Sequence, residues 1–521
     1  MLFAALLVLI GLVARGRAAA FPAEEMFRSF PDEDGYLMLT VARNIALGRG
    51  MSSAAGTLPT NGVQPLATFL QAVCFRVVGA EREAGVRLLI VVYTAIAMLT
   101  ALLVYAVGRE LLAGWRDARE AALLAAAVWF TSPVTLFHSM NMLESGLYAA
   151  AVAAVVWVFA RAHAGQHAPW PWRRCLLLGT LLGVAFWTRN DAVFLMLAVG
   201  LAHLATAPRS MLGRRVAETA VIAAAALAVS LPWLAHGLSA FGGLVPVSGR
   251  AYLGRADVAA NARAAAVALF EHVSLLFSFA FQPIPQHGAF VAACAAGVTL
   301  AASAIAVAIA RAPGGRRRQA VLAVPVLFGA ALLAFYVLFF AAPHFLRRYL
   351  FPLSPFLAVA WGAVAASLWR RAAASRLRRA GPVVLLLVLG HFVLRDGLLV
   401  RGPWRRDALF RGVEWVEANL AADTWVGAFQ SGTLGFFHDY TINLDGKVNP
   451  QALAAIQARA LADYVADSPI QYVVDWASIV EPWSASSPVL ARRFEWVVRD
   501  QGANFAVLGR RGSRPRGGGG G

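Results

Sequence analysis

Apolar runs separated by short polar joints make up most of residues 1–399. They fall at 1–13, 86–108, 120–137, 145–160, 175–188, 191–207, 216–236, 286–310, 320–342, 350–369 and 381–399. A helix needs roughly 17 to 25 apolar residues to cross a bilayer, so these runs predict about eleven transmembrane helices with soft ends. The first run is short for a span, and Arg15 and Arg17 follow it rather than precede it. A signal peptide has its positive charge in front. The run is therefore read as a first transmembrane helix, with completeness of the N-terminus left open.

The joints divide by charge. One set holds Arg116/Arg119, Arg161/Arg173/Arg174, Arg209/Arg214/Arg215, Arg311/Arg316/Arg317/Arg318 and Arg370/Arg371/Arg376/Arg378/Arg379, and the positive-inside rule assigns it to the cytoplasm. The outer set is then a first outer loop at 21–85, the joints 138–144, 188–191 and 343–349, a long outer loop at 237–285, and everything after 400. From there mixed polar and apolar sequence, with strand-like 425–429 and 470–475 and helix-like 411–420 and 450–466, predicts a small soluble α/β domain over 400–511. The glycine-rich tail 512–521 is expected to be disordered. The fold class expected is thus a polytopic α-helical membrane protein with a small C-terminal α/β extracytoplasmic domain.

Composition agrees: of 521 residues, 59% are hydrophobic and only 14% charged, too apolar for one water-soluble core. The net charge of +18 does not point to nucleic acid, because the arginines gather at helix joints and the only lysine is Lys447. Three cysteines, Cys74, Cys175 and Cys294, lie in or beside apolar runs and suggest neither a disulfide framework nor a Cys-based metal site. No internal repeat, phosphate-binding loop or dinucleotide fingerprint is present.

The candidate chemistry begins at Pro31-Asp32-Glu33-Asp34-Gly35-Tyr36. Three carboxylates in a row beside a membrane carry a desolvation cost and repel anionic lipid, so they call for catalysis, metal binding or a solvated acidic loop. The same outer loop continues through Ala42-Arg43-Asn44, Gly48 and Gly50 to Thr60-Asn61-Gly62-Val63-Gln64-Pro65-Leu66. Further polar residues fall on the outer side: Glu144 in Asn141-Met142-Leu143-Glu144-Ser145, Arg189-Asn190-Asp191, and His344-Phe345-Leu346-Arg347-Arg348-Tyr349-Leu350-Phe351-Pro352. Helix capping for Glu144, a local ion pair for Arg189 and Asp191, lipid anchoring for Arg347 and Arg348, an interfacial place for His344 and turn formation for Asn61 and Gln64 are the plain alternatives.

These four motifs together resemble the GT-C superfamily of integral-membrane glycosyltransferases, of the protein O-mannosyltransferase and aminoarabinose-transferase type. The resemblance spans most of the membrane portion. It implies an enzyme that moves a sugar from a polyprenyl-phosphate donor to a glycan, lipid or protein acceptor of the cell envelope, at the outer face of a bacterial inner membrane, with the C-terminal domain in the periplasm. Aligned backward from Ala42-Arg43, Asp34 takes the place of the catalytic aspartate, with Glu33 beside it and Glu144 as a second catalytic acid. Asp32 is one step farther out, and the register within the triplet stays open. Arg347, Arg348, Tyr349, Arg189, Asp191, Tyr36, Gln64 and His344 are implied in binding donor phosphate or substrate. A positioned carboxylate can take the acceptor's proton while cations stabilise the leaving phosphate, and direct displacement of this kind inverts the anomeric centre.

A divalent cation such as Mg or Mn would need Asp34, Glu144 and His138 or His344 to converge, which spacing leaves open. In the outer domain, Gln430, His438 and Asp445 are candidates for acceptor contact, with ordinary loop chemistry as the alternative. Two rival functions are a transporter or flippase of lipid-linked sugars, which would place its charges at mid-membrane, and a noncatalytic envelope-assembly scaffold. No nucleic acid partner is expected.

Overall fold

The computed structural model describes residues 1–163, 168–254, 256–276, 288–311, 316–375, 379–401 and 405–516. Expectations for Arg376 and Arg378, for 286–287 of one apolar run and for 517–521 of the tail lie outside them. The membrane portion is built from α1 (Leu2–Ala20), α2 (Ala23–Ser29), α3 (Glu33–Ala46), α4 (Pro65–Val77), α5 (Arg82–Leu111), α6 (Ala118–Thr131), α7 (Pro133–Met140), α8 (Ser145–Ala162) and α9 (Trp172–Thr188). It continues through α10 (Ala192–Ala205), α11 (Leu212–Phe241), α12 (Val247–Tyr252), α13 (Val258–Ser274), α14 (Gly288–Arg311), α15 (Arg316–Phe339), α16 (Leu346–Leu350), α17 (Ser354–Ala373) and α18 (Gly381–Val400). Among the described residues seven helical spans are long and apolar enough to cross a membrane, and the pair α6 and α7 makes an eighth. The chain is a multi-pass membrane protein.

Two expectations about spans change. The run 120–137 is not one straight helix: Pro133 cannot continue the hydrogen-bond ladder, Ser132 caps a new helix with its hydroxyl, and the axis turns by 58°. The runs 175–188 and 191–207 form α9 and α10, of 17 and 14 residues, which meet at the polar turn Arg189–Asp191. Close packing of the bundle rests on small residues. Gly362 of α17 lies so near α6 that an added Cβ would stand 2.4 Å from the Ala121 carbonyl oxygen.

The first outer loop folds as α2, α3, the short antiparallel pair β1 (Ser52–Ser53) and β2 (Leu58–Pro59), and α4. The long outer loop contains α12 and α13. After α19 (Arg405–Asn419) the chain forms a five-stranded sheet of β3 (Val426–Ala428), β4 (Thr441–Asn443), β5 (Tyr472–Asp475), β6 (Phe494–Asp500) and β7 (Phe505–Arg510), in the order β4-β3-β5-β7-β6. The first three strands are parallel and the last two antiparallel, and α20 (Ser431–Phe437) connects β3 to β4.

This α/β unit sits on the first outer loop through four kinds of contact. Asp439 accepts from Arg43 at 3.0 Å, Arg49 at 2.9 Å and Arg82 at 2.8 Å. Arg28 pairs with Glu414 at 2.8 Å. Phe27, Tyr36, Phe410, Phe436 and Phe437 form one aromatic cluster across the junction. The backbones also touch: a Cβ on Gly62 would lie 1.9 Å from the Lys447 carbonyl oxygen, and one on Gly432 would lie 1.9 Å from that of Glu33. Only glycine permits these approaches.

Candidate active site

The acidic triplet divides into three roles because α3 starts inside it. Asp32 is the N-cap, its Oδ1 accepting from Gly35 N at 2.8 Å, and its other oxygen accepts from Asn141 Nδ2 at 3.3 Å. Glu33 and Asp34 then fall in the first turn, where the helix dipole favours carboxylates. The helical rotation sends their side chains in different directions.

Glu33 reaches the first turn of α20, accepting from the Gly432 and Thr433 backbone N–H groups and from Thr433 Oγ1 at 2.7 Å. Burial pushes its carboxyl up, and the Thr433 and Gly432 hydrogen bonds offset part of the rise. Through these bonds Glu33 joins the first outer loop to the α/β unit. Tyr36 departs from the role the resemblance implies. It is fully buried in the aromatic cluster, its hydroxyl donating to Phe27 O at 2.5 Å, because its position in α3 turns it to the packed face.

Asp34 faces two cations. Its Oδ2 lies 2.9 Å from Arg348 Nη1 and its Oδ1 lies 3.1 Å from Lys447 Nζ. Burial works against its charge, yet Lys447 and then Arg348 outweigh that cost and hold the carboxyl well below the usual range. Lys447 also touches Asp445 at 3.1 Å; burial opposes its charge, but Asp34 and Asp445 keep the ammonium well above its ordinary range.

This three-residue bridge stands between two cavities, and Asp34, Phe345, Arg348 and Lys447 line both. The first cavity, of about 350 Å³, lies against α10 and α15 and is walled mainly by apolar side chains such as Leu37, Val63, Phe194 and Phe335. Besides the shared residues its polar lining is Gln64, Glu144, Arg189, Asn190, Asp191, Ser248, Tyr252, Tyr336 and Tyr349. Arg189 is buried among Glu144, Asp191 Oδ2 at 3.0 Å and the Tyr336 hydroxyl at 2.9 Å, and its guanidinium stacks over the Tyr349 ring at 4.4 Å. Glu144 is thus committed to a buried ion pair at the cavity wall.

The second cavity, of about 320 Å³, lies under the α/β unit and is lined by Asp32, Glu33, Phe137, His138, Asn141, His344, Arg347, Leu409, Gln430 and Trp476 besides the shared four. Arg347 stands 3.9 Å from Glu271 and its carbonyl bonds His272 Nε2 at 2.8 Å. Asn61 is drawn into the scaffold, accepting from Val247 N at 3.0 Å. His438 is buried against Thr424 O at 2.7 Å and faces neither cavity.

The triad considered for a divalent cation does not assemble: among the described residues no three His, Cys, Asp or Glu side chains are placed to hold one metal ion. The donor set fits poorly as well, since both Asp34 oxygens bond cations and Glu144 is paired with Arg189. Sequence reasoning assigns no role at the site to Lys447, which enters there only in weighing the net charge. Its signal was its rarity as the single lysine in an arginine-rich chain.

A family model described as dolichyl-phosphate-mannose-protein mannosyltransferase (PMT_2) matches residues 61–236, and one described as a domain of unknown function (DUF8728) matches 403–513. No curated protein matches the chain by sequence. Among solved structures, ArnT from Cupriavidus metallidurans in the apo state is similar at 13% identity and TM-score 0.58, with 97% of each chain covered. ArnT from the same organism bound to undecaprenyl phosphate is similar at 14% and 0.55, again over 97% of each. The oligosaccharyltransferase of Archaeoglobus fulgidus in its apo form is similar at 14% and 0.56, over 95% of this chain and 73% of that one. At these identities the likeness to the solved structures is one of fold. The segment matched by the mannosyltransferase family model carries Gln64, Glu144, Arg189 and Asp191, and the fold over nearly the whole chain is that of these ArnT and oligosaccharyltransferase structures.

Proposed function

We propose that the protein transfers one sugar from a polyprenyl-phosphate donor to an envelope glycan, lipid or protein at the outer face of a bacterial inner membrane, with its C-terminal domain in the periplasm. The observation that carries this reading is Asp34, held ionised by Arg348 and Lys447 on the wall shared by two cavities. The apolar cavity beside α10 and α15 suits a donor that brings a prenyl chain from the bilayer. The polar cavity under the α/β unit suits an acceptor.

In the reaction the acceptor hydroxyl approaches from the second cavity and Asp34 takes its proton as the oxygen bonds the anomeric carbon. The bond from that carbon to the phosphate oxygen breaks, and the electron pair leaves with the polyprenyl phosphate. Arg348 and Lys447 meet that growing negative charge with preorganised donors. Attack and departure on opposite sides of the sugar invert the centre. The Glu144–Arg189–Asp191 group shapes the donor cavity.

The test is mass spectrometry of envelope glycans from a deletion strain and the same strain complemented with wild type. A sugar lost on deletion and restored by complementation is expected. Identical glycans in both strains would end the transferase reading. Sidedness is checked with topology reporters fused after residues 215 and 430, expected inside and outside respectively, and a cytoplasmic report at 430 contradicts it.

A further inference from the structure

The second cavity carries as much positive as negative charge on its walls: Arg347, Arg348 and Lys447 against Asp32, Glu33 and Asp34. It offers no surplus charge for an anionic or cationic ligand. What it does offer is His138. This side chain lies on α7, turned toward the cavity by the Pro133 bend, and is 3% exposed with neither ring nitrogen bonded among the described residues. Its ring is held between Phe351, at 5.1 Å, and Phe137, at 5.0 Å, so its position is fixed.

A neutral imidazole has one donor and one acceptor nitrogen. A phosphate or carboxylate supplies only acceptors and an ammonium only donors, and each leaves one nitrogen unmatched. A hydroxyl supplies both. Around His138 the cavity adds the half-buried Trp476 indole, the Phe137 ring and the Gln430 amide. Aromatic faces beside amide and imidazole groups suit a molecule that has a flat C–H face and a rim of hydroxyls.

We infer that the acceptor in this cavity is a neutral carbohydrate, with His138 hydrogen-bonding its hydroxyls and Trp476 packing on its ring, so that the product is a sugar-to-sugar glycosidic bond. This rests on the transferase reading and narrows its acceptor. His138 and Trp476 act on binding and orientation of the acceptor, while the donor cavity is unaffected by either.

The experiment is linkage analysis of permethylated envelope glycans by mass spectrometry. Strains carrying the deletion, wild type, His138→Ala, His138→Gln and Trp476→Ala are compared, with the amount of protein in the membrane measured in each. The expected result is one sugar missing on deletion from a hydroxyl of a neighbouring sugar. That linkage should fall about tenfold or more in His138→Ala and Trp476→Ala at normal protein levels. His138→Gln, which keeps a donor and an acceptor, should recover part of it. Were a variant poorly inserted, the site of the missing sugar in the deletion strain alone still decides the matter. A sugar missing from a phosphate group or from a Ser or Thr of a protein would overturn the inference and leave the transferase reading standing. No missing sugar anywhere would overturn both.

Discussion

Replacing Lys447 by Met keeps the length of the side chain and removes its charge, so it isolates what the ammonium does for Asp34. At 3.1 Å, with an effective permittivity of about 20, the gross attraction is about 5 kcal/mol. Keeping the ammonium out of water cancels several kcal/mol of this, leaving a net effect of about 2 to 3 kcal/mol. In the proposed reaction the same ammonium meets the leaving phosphate, and removing one preorganised donor of that kind costs about a hundredfold in rate. The variant should therefore transfer about a hundredfold more slowly. It should also acquire an acid limb: Asp34, relieved of one cation, titrates closer to the usual carboxylate range, so transfer falls as pH drops toward about 4. The wild type, whose carboxyl is held well below that range, stays flat there. The assay is sugar transfer in membrane vesicles between about pH 4 and pH 8, followed by mass spectrometry of the glycan. Lys447→Arg, which keeps the cation without the compact ammonium, should fall between the two. A Lys447→Met enzyme within about threefold of wild type, with a flat profile, would refute the reasoning.

Glu33→Gln should weaken docking of the α/β unit by about 1 to 3 kcal/mol, since one acceptor oxygen becomes an amide that faces N–H donors. Its turnover per folded molecule should persist, and full loss of turnover with unchanged thermal unfolding contradicts this. Asp475 is pushed up to about 7 by burial, partly offset by hydrogen bonds from Trp476, Gln430 and Phe429 N–H groups. Its folded value exceeds the unfolded one of about 3.9, so its stabilising contribution is full below about pH 4 and is lost as pH rises through about 7. The unfolding midpoint of wild type should then drop more between about pH 5 and pH 8 than that of Asp475→Asn, and equal slopes would exclude it. Gly62→Ala places a methyl 1.9 Å from the Lys447 carbonyl oxygen and should cost about 2 kcal/mol or more while displacing Lys447 from Asp34. Normal stability and normal transfer in this variant would show that the contact yields easily.

Legibility in the sequence followed the range of the interaction. The apolar runs are local and carried the architecture, and Pro133 inside the run 120–137 was a readable sign of the break that turns His138 to a cavity. Asp34, Glu144, Arg189 and Arg348, expected on one side of the membrane, line one cavity. The roles within Asp32-Glu33-Asp34 were not readable, because they depend on which residue caps α3 and on partners from α20 and Lys447 about 400 residues away. Tyr36 looked like a site residue for the same reason: its aromatic neighbours Phe410, Phe436 and Phe437 come from the far end of the chain. Lys447 was visible as a solitary lysine, but nothing local tied it to an aspartate in the first outer loop.

The central claim is that Asp34, between its two cations and two cavities, is the group on which transfer depends. It is tested most directly by Asp34→Asn, which keeps shape and removes charge, in the deletion strain. Polyprenyl-phosphate sugar in lipid extracts and the acceptor glycan are quantified side by side by mass spectrometry. The account predicts that the lipid-linked donor accumulates and the glycan lacks its sugar, with the protein present in the membrane at normal level. Wild-type glycan and no donor accumulation in that strain would contradict it.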